Sequence, residues 1–230
     1  CAWPVVSARA TDDTVLVRMA PGDARQAQAA GLRPRRVLDY GSFAWLELPA
    51  PDLSRLQALG LEYEVREEPY VLHLGGQSFD PLRDGIRLRA GWPGEATIGA
   101  ARAPQGAAAD LQLVQLAGPT RDEWLAALAG AGLDIVSYVH PFTYIVWGDG
   151  DALARAAGLD FVRWTGSFEP AFRLDARWQD LGQAPARANV LLYRGADLGQ
   201  ISRRVVALGG ELGRPKALDP MLAAAGLRLP

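Results

Sequence analysis

Apolar positions follow two different periods along residues 111–174, and the order of these periods predicts one compact module. A short, mostly apolar run over 111–116 is typical of a buried strand. Apolar residues then recur at helical spacing over 124–131. Two runs rich in β-branched and aromatic residues follow at 133–139 and 142–147, and the two-residue step between them predicts a hairpin.

The same module continues with a second helix and a closing strand. Gly158 ends a predicted helix over 151–157, and residues 159–164 predict the last strand. The resulting β-α-β-β-α-β order is that of a ferredoxin-like fold, so the predicted class is α+β. Six residues of these elements are predicted to form the core, namely Trp124, Leu128, Ile135, Val146, Leu153 and Phe161.

Both helices of this module begin at polar residues that predict caps. Thr120 and Glu123 have the spacing of a capping box, in which the hydroxyl accepts from the backbone N–H of the glutamate. Asp149 and Asp151 look like a fragment of a calcium loop, but the later ligands of such a loop do not follow in the sequence. Capping of the second helix by Asp151 explains this acidic pair better than a metal site does.

An earlier part of the chain repeats the same order of patterns. Val17 corresponds to Val114 and Gly60 to Gly158, at offsets of 97 and 98 residues. Self-similarity at a nearly constant offset indicates a tandem repeat. The chain is therefore predicted to be a tandem array of ferredoxin-like modules.

A third copy begins near the C-terminal end and is incomplete. A strand over 189–193 precedes a helix over 198–208 with Asp197 as its N-cap. Beyond Glu211 the pattern fades, and residues 218–230 predict one short helix and no closing strand. The predicted organisation is an extended tail (1–13), a first module (14–74), a Gly/Pro-rich linker (75–110), a second module (111–174), a connector (175–188) and a partial third module (189–230).

The linker differs from the modules in composition. It holds seven of the 25 glycines and shows little periodicity, which predicts irregular structure lying on the modules. Two segments are predicted to attach it, Phe79-Asp80-Pro81-Leu82 and Trp92-Pro93-Gly94.

Composition and charge argue against two classes of function. The net charge of −2 and the lack of aromatic residues in 111–117 disfavour a nucleic-acid-binding face. No apolar run reaches the roughly 20 residues of a membrane-spanning helix. The chain begins at Cys1, its only cysteine, and two interpretations stay open: a bacterial lipoprotein whose cysteine is lipidated after signal cleavage, or a fragment cut from a longer chain.

Motifs for catalysis or metal binding are not recognisable in the sequence. There is no Gly-x-Ser-x-Gly turn, and the repeated tripeptides around Ser42 and Ser167 are interpreted as turns. His73 and His140 have no cysteine or carboxylate at ligand spacing. We therefore expect no enzymatic activity, no metal and no cofactor.

A set of short motifs marks the ends of strands and helices in the second module. They are Leu113-Val114-Gln115, Gly118-Pro119, Glu123-Trp124, Tyr138, Phe161-Val162-Arg163-Trp164 and Pro170-Ala171. This set resembles the propeptide domains of subtilisin-like serine proteases. More narrowly, it is similar to the tandem propeptide-like repeats that precede the catalytic domain in some large secreted bacterial and archaeal subtilases. The resemblance covers roughly 14–74 and 111–174 and begins again at 189.

The resemblance implies a non-catalytic region that works with a subtilisin-like protease, in cis or in trans. Such a region assists folding of the enzyme, inhibits it or docks on it, and it is secreted or held at the cell surface. Its sheet packs on the enzyme while its C-terminal tail lies in the substrate cleft. The corresponding tail here is Gly226, Leu227, Arg228, Leu229 and Pro230.

The alternative is an extracellular structural or adhesive protein built from the same modules. An incomplete third module leaves a strand edge that another strand can pair with. Exchange of strands between chains gives filaments when the contacts do not close on themselves. The predicted strand donor is the N-terminal tail, through Trp3, Val5 and Val6.

Overall fold

The computed structural model describes residues 14–86, 108–173, 186–193, 197–212, 216–219 and 222–229. The chain divides into two compact units, residues 1–171 and 172–230. The described ranges contain five α-helices and several antiparallel sheets, so the predicted α+β class is confirmed. None of the helices in these ranges is long and apolar enough to cross a membrane.

Sheet A is formed by the first four strands of the chain. Its elements, with the two helices that cover it, are β1 (Thr14–Met19), α1 (Pro21–Ala29), β2 (Arg36–Asp39), β3 (Ala44–Pro49), α2 (Asp52–Ala58) and β4 (Tyr63–Arg66). The strand order is β2-β3-β1-β4, and all neighbours are antiparallel. Both helices contribute to a core on one face of the sheet, where Val17, Leu46 and Leu56 are fully buried.

A separate hairpin follows sheet A. It consists of β5 (Leu72–Leu74) and β6 (Gln77–Phe79), which pair with each other as a two-stranded sheet. Part of the predicted irregular linker is therefore a strand. Phe79 and Asp80 are buried, as expected for a point of attachment. The second predicted attachment, Trp92-Pro93-Gly94, lies outside the described residues.

Sheet B repeats the plan of sheet A. Its elements are β7 (Asp110–Leu116), α3 (Asp122–Gly130), β8 (Asp134–Val139), β9 (Thr143–Gly148), α4 (Gly150–Ala157) and β10 (Val162–Ser167), and a 3-10 turn over Pro170–Arg173 follows. The strand order is β10-β7-β9-β8, again antiparallel. The predicted core is confirmed: Trp124, Leu128, Val146 and Leu153 are buried, and Ile135 and Phe161 pack against them.

Edge strands of both sheets are short or irregular. In sheet A the edges β2 and β4 have four residues each. In sheet B the register shifts between Ile135 and Ser137 in β8 and between Val162 and Trp164 in β10. Short strands and bulges at an edge disfavour pairing with a further strand.

Both predicted caps of the second module are wrong. Helix α3 begins at Asp122 after Arg121, and Thr120 lies one residue too far out to cap it. The Thr120 hydroxyl is instead 2.9 Å from the hydroxyl of Tyr144. Helix α4 is capped by Asp149, whose Oδ1 accepts from the Ala152 N–H at 2.7 Å, because the helix starts one residue before Asp151.

Unit 2 contains a third sheet, sheet C. Its elements are β11 (Ala186–Tyr193), α5 (Leu198–Ala207), β12 (Glu211–Leu212), β13 (Lys216–Asp219) and β14 (Leu222–Leu229). Asp197 caps α5 as predicted, since its Oδ1 accepts from the Gln200 N–H. The helix predicted over 218–230 is wrong: β14 pairs with all eight residues of β11. Pairing satisfies the backbone groups of a segment whose central Gly226 disfavours a helix.

Candidate functional site

Alternate residues of β7 face opposite sides of sheet B. Val114 and Leu116 lie in the core beneath α3 and α4. Leu113 and Gln115 point to the opposite face, and both are completely buried. The buried Gln115 amide donates from Nε2 to the carbonyl oxygen of Tyr70 at 3.0 Å. The segment that starts at Tyr70 therefore covers this face, and residues 70–84 are called the strap below.

Arg163 of β10 binds the strap through a bidentate ion pair. Its Nη1 and Nη2 lie 2.8 and 2.9 Å from the two carboxylate oxygens of Asp80. Nη1 also donates to Gln115 Oε1 at 2.7 Å, and the guanidinium lies 3.9 Å from the centre of the Tyr70 ring. Arg163 occupies the position at which β10 changes register, so the bulge directs its side chain toward the strap.

Asp80 has further partners within the strap. Its Oδ1 accepts from the Leu82 N–H at 3.0 Å, and its own N–H donates to Asp84 Oδ2 at 2.8 Å. The Asp80 and Arg163 side chains are only 12% and 14% exposed. A pair this buried loses hydration on both sides, so its net effect on stability is small compared with the cost of removing one partner.

Tyr70 joins the strap to both sheets. Its hydroxyl donates to the carbonyl oxygen of Ala117 at 2.9 Å. Burial raises the pKa of the Tyr70 hydroxyl well above its ordinary value, with the nearby Glu47 carboxylate acting in the same direction. Tyr70 is thus held as a neutral donor, which suits a structural role better than acid–base chemistry.

The second face of sheet A is closed by aromatic residues. Leu16, Trp45 and Tyr70 form a buried cluster there, and Phe142 from the β8–β9 turn packs against it. The Phe142 ring centre lies 6.3 Å from that of Trp45 and 6.2 Å from that of Tyr70, both edge to face. Phe142 has φ of 50°, a left-handed conformation that is unfavourable for an aromatic residue. The insertion of this ring into the cluster compensates for that strain.

Module contacts continue along the edge strand β2. Tyr40 donates from its hydroxyl to the Pro119 carbonyl oxygen at 2.6 Å, and Arg121 donates to the Asp39 carbonyl oxygen, also at 2.6 Å. The Arg121 guanidinium lies 4.4 Å from the Tyr40 ring centre and 5.1 Å from that of Trp124. These contacts and the Phe142 cluster together form the module interface.

Gly118 lies at the closest approach in the module interface. A Cβ at this position would lie 2.7 Å from Leu38 Cδ1 and 3.3 Å from the Tyr40 hydroxyl. Such distances are shorter than ordinary van der Waals contact. Glycine at position 118 of the Gly-Pro turn is therefore favoured by packing between the modules.

An open cleft lies at one end of sheet A. It has a volume of about 380 Å³, and its lining includes Arg18, Asp23, Phe43, Glu62 and Glu64. The Arg18 guanidinium lies over the Phe43 ring, 4.6 Å from its centre, and 3.6 Å from a Glu64 carboxylate oxygen. The Arg18 guanidinium in this cleft is thus already paired with Glu64 and Phe43.

The predicted site residues fall in different places. Cys1, Trp3, Val5, Val6 and Pro230 lie outside the described residues. Gly226, Leu227, Arg228 and Leu229 lie on β14, where they pair with β11. Their role as a protease-binding tail stays a prediction.

His73 and Ser78 form the one contact in the described ranges that resembles a nucleophile and a base. The His73 Nδ1 and Ser78 Oγ atoms are 2.7 Å apart across the β5–β6 hairpin, and both residues are exposed. This pair is explained as a cross-strand hydrogen bond. The described residues contain no group of three or more His, Cys, Asp or Glu that would hold a metal ion.

Sequence reasoning did not identify the strap–Arg163 contact as a site. Asp80 was part of a predicted attachment and Arg163 was part of a quoted motif, but nothing in the sequence paired them. The signal that was present is an arginine between the apolar residues Val162 and Trp164, since buried arginines require a partner.

The comparisons with known proteins gave one match. A family described as a domain of unknown function (DUF8729) matches residues 73–169. The comparison with curated proteins and the comparison with solved structures gave no match. The matched region starts within the strap and ends just beyond β10, so it contains both Asp80 and Arg163.

Proposed function

We propose that the chain is a non-catalytic, propeptide-like region that docks on a subtilisin-like serine protease, in cis or in trans, outside the cell or at its surface. Its described part is built from tandem ferredoxin-like modules. The observation that carries the proposal is the shared plan of the two sheets: in each, the first strand lies between the third and the fourth, and helices follow the first and third strands. This is the strand order of a βαββαβ module.

The geometry favours docking over inhibition through an open sheet face. In sheet A the face opposite the helices is occupied by Trp45, Tyr70 and Phe142. In sheet B the corresponding face is occupied by the strap. A protease that binds this unit would therefore contact its helices, edges or loops, and inhibition is expected to be weak.

Binding and inhibition of subtilisin-like proteases test this proposal. The purified chain is titrated against several such enzymes, with binding measured by calorimetry and inhibition by hydrolysis of a small chromogenic substrate. We expect binding to at least one enzyme with hydrolysis reduced less than twofold at saturation, and a faster refolding of that enzyme would add a chaperone role. Strong inhibition would favour the inhibitor role, and absence of binding to every enzyme tested would contradict the proposal.

The second candidate is an extracellular structural or adhesive protein, and the module interface favours it. Contacts from Tyr40, Arg121 and Phe142 join two modules into one unit, as expected of a building block. Light scattering on the chain with and without residues 1–10 tests strand exchange. Large assemblies that disappear on deletion would support this candidate, whereas a monomer in both cases would exclude exchange through that tail.

A further inference from the structure

The strap is a layer distinct from sheets A and B. Among the described strands, β5 and β6 pair only with each other. The backbone takes a left-handed conformation just before the strap, at Glu68 with φ of 47°, and just after it, at Gly85 with φ of 67°. Gly75 and Gly76 also have positive φ at the hairpin turn. Sharp backbone turns therefore bound the strap on both sides.

The polar contacts of the strap with sheet B are centred on one ion pair. These polar contacts come from Asp80, from the Tyr70 carbonyl oxygen and from the Tyr70 hydroxyl, which donates to Ala117 just beyond β7. The strap also buries four large apolar or aromatic side chains, Tyr70, Val71, Leu72 and Phe79. When the strap is closed, the Asp80 and Arg163 charges are removed from water. Opening returns both charges to water, so the hydration they regain offsets much of the lost attraction. The ion pair therefore adds little to the free-energy cost of opening, which is set mainly by the exposure of Tyr70, Val71, Leu72 and Phe79.

We propose that the strap opens and recloses as a unit, and that the face it covers is a binding site for an extended peptide segment. The site consists of Leu113, Gln115 and Arg163. The strap itself shows what the site accepts: a carboxylate for the Arg163 guanidinium, a main-chain carbonyl for the Gln115 amide, and apolar side chains on either side. A partner segment with an acidic residue flanked by apolar residues competes with the strap for this face.

Hydrogen exchange measured by mass spectrometry on the full chain tests the opening. In Asp80→Asn we expect exchange over 72–79 to accelerate about 10- to 100-fold, the effect of weakening a hydrogen bond to a charged group. Exchange in α1 and α3 is expected to stay unchanged, since local opening leaves both sheets folded. The control is Arg83→Gln, which removes an exposed ion pair of the strap with Asp84 and leaves Asp80 with Arg163. Equal acceleration throughout residues 14–171, or none over 72–79, would overturn the proposal.

A labelled peptide with the sequence of residues 70–84 tests the binding site. Fluorescence anisotropy is measured on its addition to the wild-type chain and to the Asp80→Asn chain. We expect at least about tenfold tighter binding to the variant, because its own strap occupies the site for less of the time. The same peptide with Asn at the position of Asp80 is expected to bind the variant at least about tenfold more weakly, since it lacks the charged hydrogen bond to Arg163. Equal binding of both peptides, or no binding, would overturn the site.

Discussion

Sheets A and B share a strand order but close their second faces by different physical means. Sheet A is closed by apolar and aromatic side chains, with Phe142 of the other module inserted beside Trp45. Sheet B is closed by the strap, which combines buried apolar residues such as Leu72 and Phe79 with polar, directional bonds to the sheet. The repeated fold therefore fixes the arrangement of strands and helices and leaves open how the remaining surface is covered.

The difference has consequences for stability. Apolar burial is non-directional and stabilises the fold in proportion to the buried area, so its loss should lower the stability of the whole unit. A buried ion pair contributes less net stability than apolar burial does, but it fixes the relative positions of the two charged side chains more strictly. Substitutions in the aromatic cluster of sheet A and in the strap of sheet B should therefore differ in how much unfolding free energy they remove. They should also differ in which part of the molecule is destabilised.

Phe142→Ala is expected to have the largest effect. It removes the ring that packs on Trp45 and Tyr70, and a loss of about 3 kcal/mol in unfolding free energy follows, near the lower end of the usual range because the ring is only partly buried. Urea unfolding followed by tryptophan fluorescence measures it. Phe142→Leu is the control, and its loss of unfolding free energy should be less than half of the loss in Phe142→Ala. A loss below about 0.5 kcal/mol, typical of surface substitutions, would contradict the assigned role.

Arg163→Ala is expected to be milder and local. Removing one partner of a buried ion pair costs about 3 to 5 kcal/mol when the other charge stays buried. Here release of the strap lets the Asp80 carboxylate reach water. We therefore expect a loss of about 2 kcal/mol in unfolding free energy, measured by urea unfolding. The double variant Asp80→Leu with Arg163→Met is the control, and it should recover most of this loss because no charge stays buried. A cooperative loss of the full amount for the single variant would show that the strap does not open independently.

Gly118→Ala tests how closely the modules approach. The added methyl group meets Leu38 Cδ1, and we expect a loss of about 1 to 2 kcal/mol, as for other overpacked positions. Gly130→Ala is a matched control, since nothing lies within 4 Å of a Cβ there and alanine favours the helix. Thermal unfolding of both variants should therefore shift in opposite directions. Equal shifts would mean that Leu38 moves aside without loss.

Gln112→Met should have the smallest effect and the opposite sign. Gln112 Oε1 is buried without a hydrogen-bond partner on the helix-covered side of sheet B. Replacing it with an apolar side chain of similar shape removes that unsatisfied group, and a gain of about 1 kcal/mol follows. Thermal unfolding measures the gain. A decrease in stability would indicate that the amide has a partner in solution.

The sequence was sufficient for elements whose local pattern agrees with the tertiary fold. A buried strand was predicted over 111–116, and β7 spans Asp110–Leu116 with residues 112–116 buried, as the mostly apolar run indicates. The core residues of the second module were predicted for the same reason. Leu128 belongs to a series of apolar residues at helical spacing, and Val146 belongs to a run rich in β-branched and aromatic residues. Local periodicity therefore indicates which side chains of a helix or strand face the core.

Contacts between distant residues were not predictable in this way. Asp80 and Arg163 are 83 residues apart, and the bulge that directs Arg163 leaves no mark in the hydrophobic pattern. Thr120 was expected to cap α3, but a hydroxyl of Tyr144, 24 residues away, was the better partner. The segment over 222–229 became a strand because β11 offered a full set of backbone partners. In each case a long-range partner decided between locally equivalent alternatives.

The irregular edges of sheet B bear on how the molecule behaves at high concentration. A bulge interrupts the ladder in β8 and in β10, and Trp164 lies along its own strand so closely that a Cβ at Gly166 would touch its ring. A neighbouring copy that approaches either edge therefore meets a discontinuous row of donors and acceptors. This module should therefore resist cross-β aggregation in concentrated solutions, and the sheets of neighbouring copies are not expected to pair edge to edge.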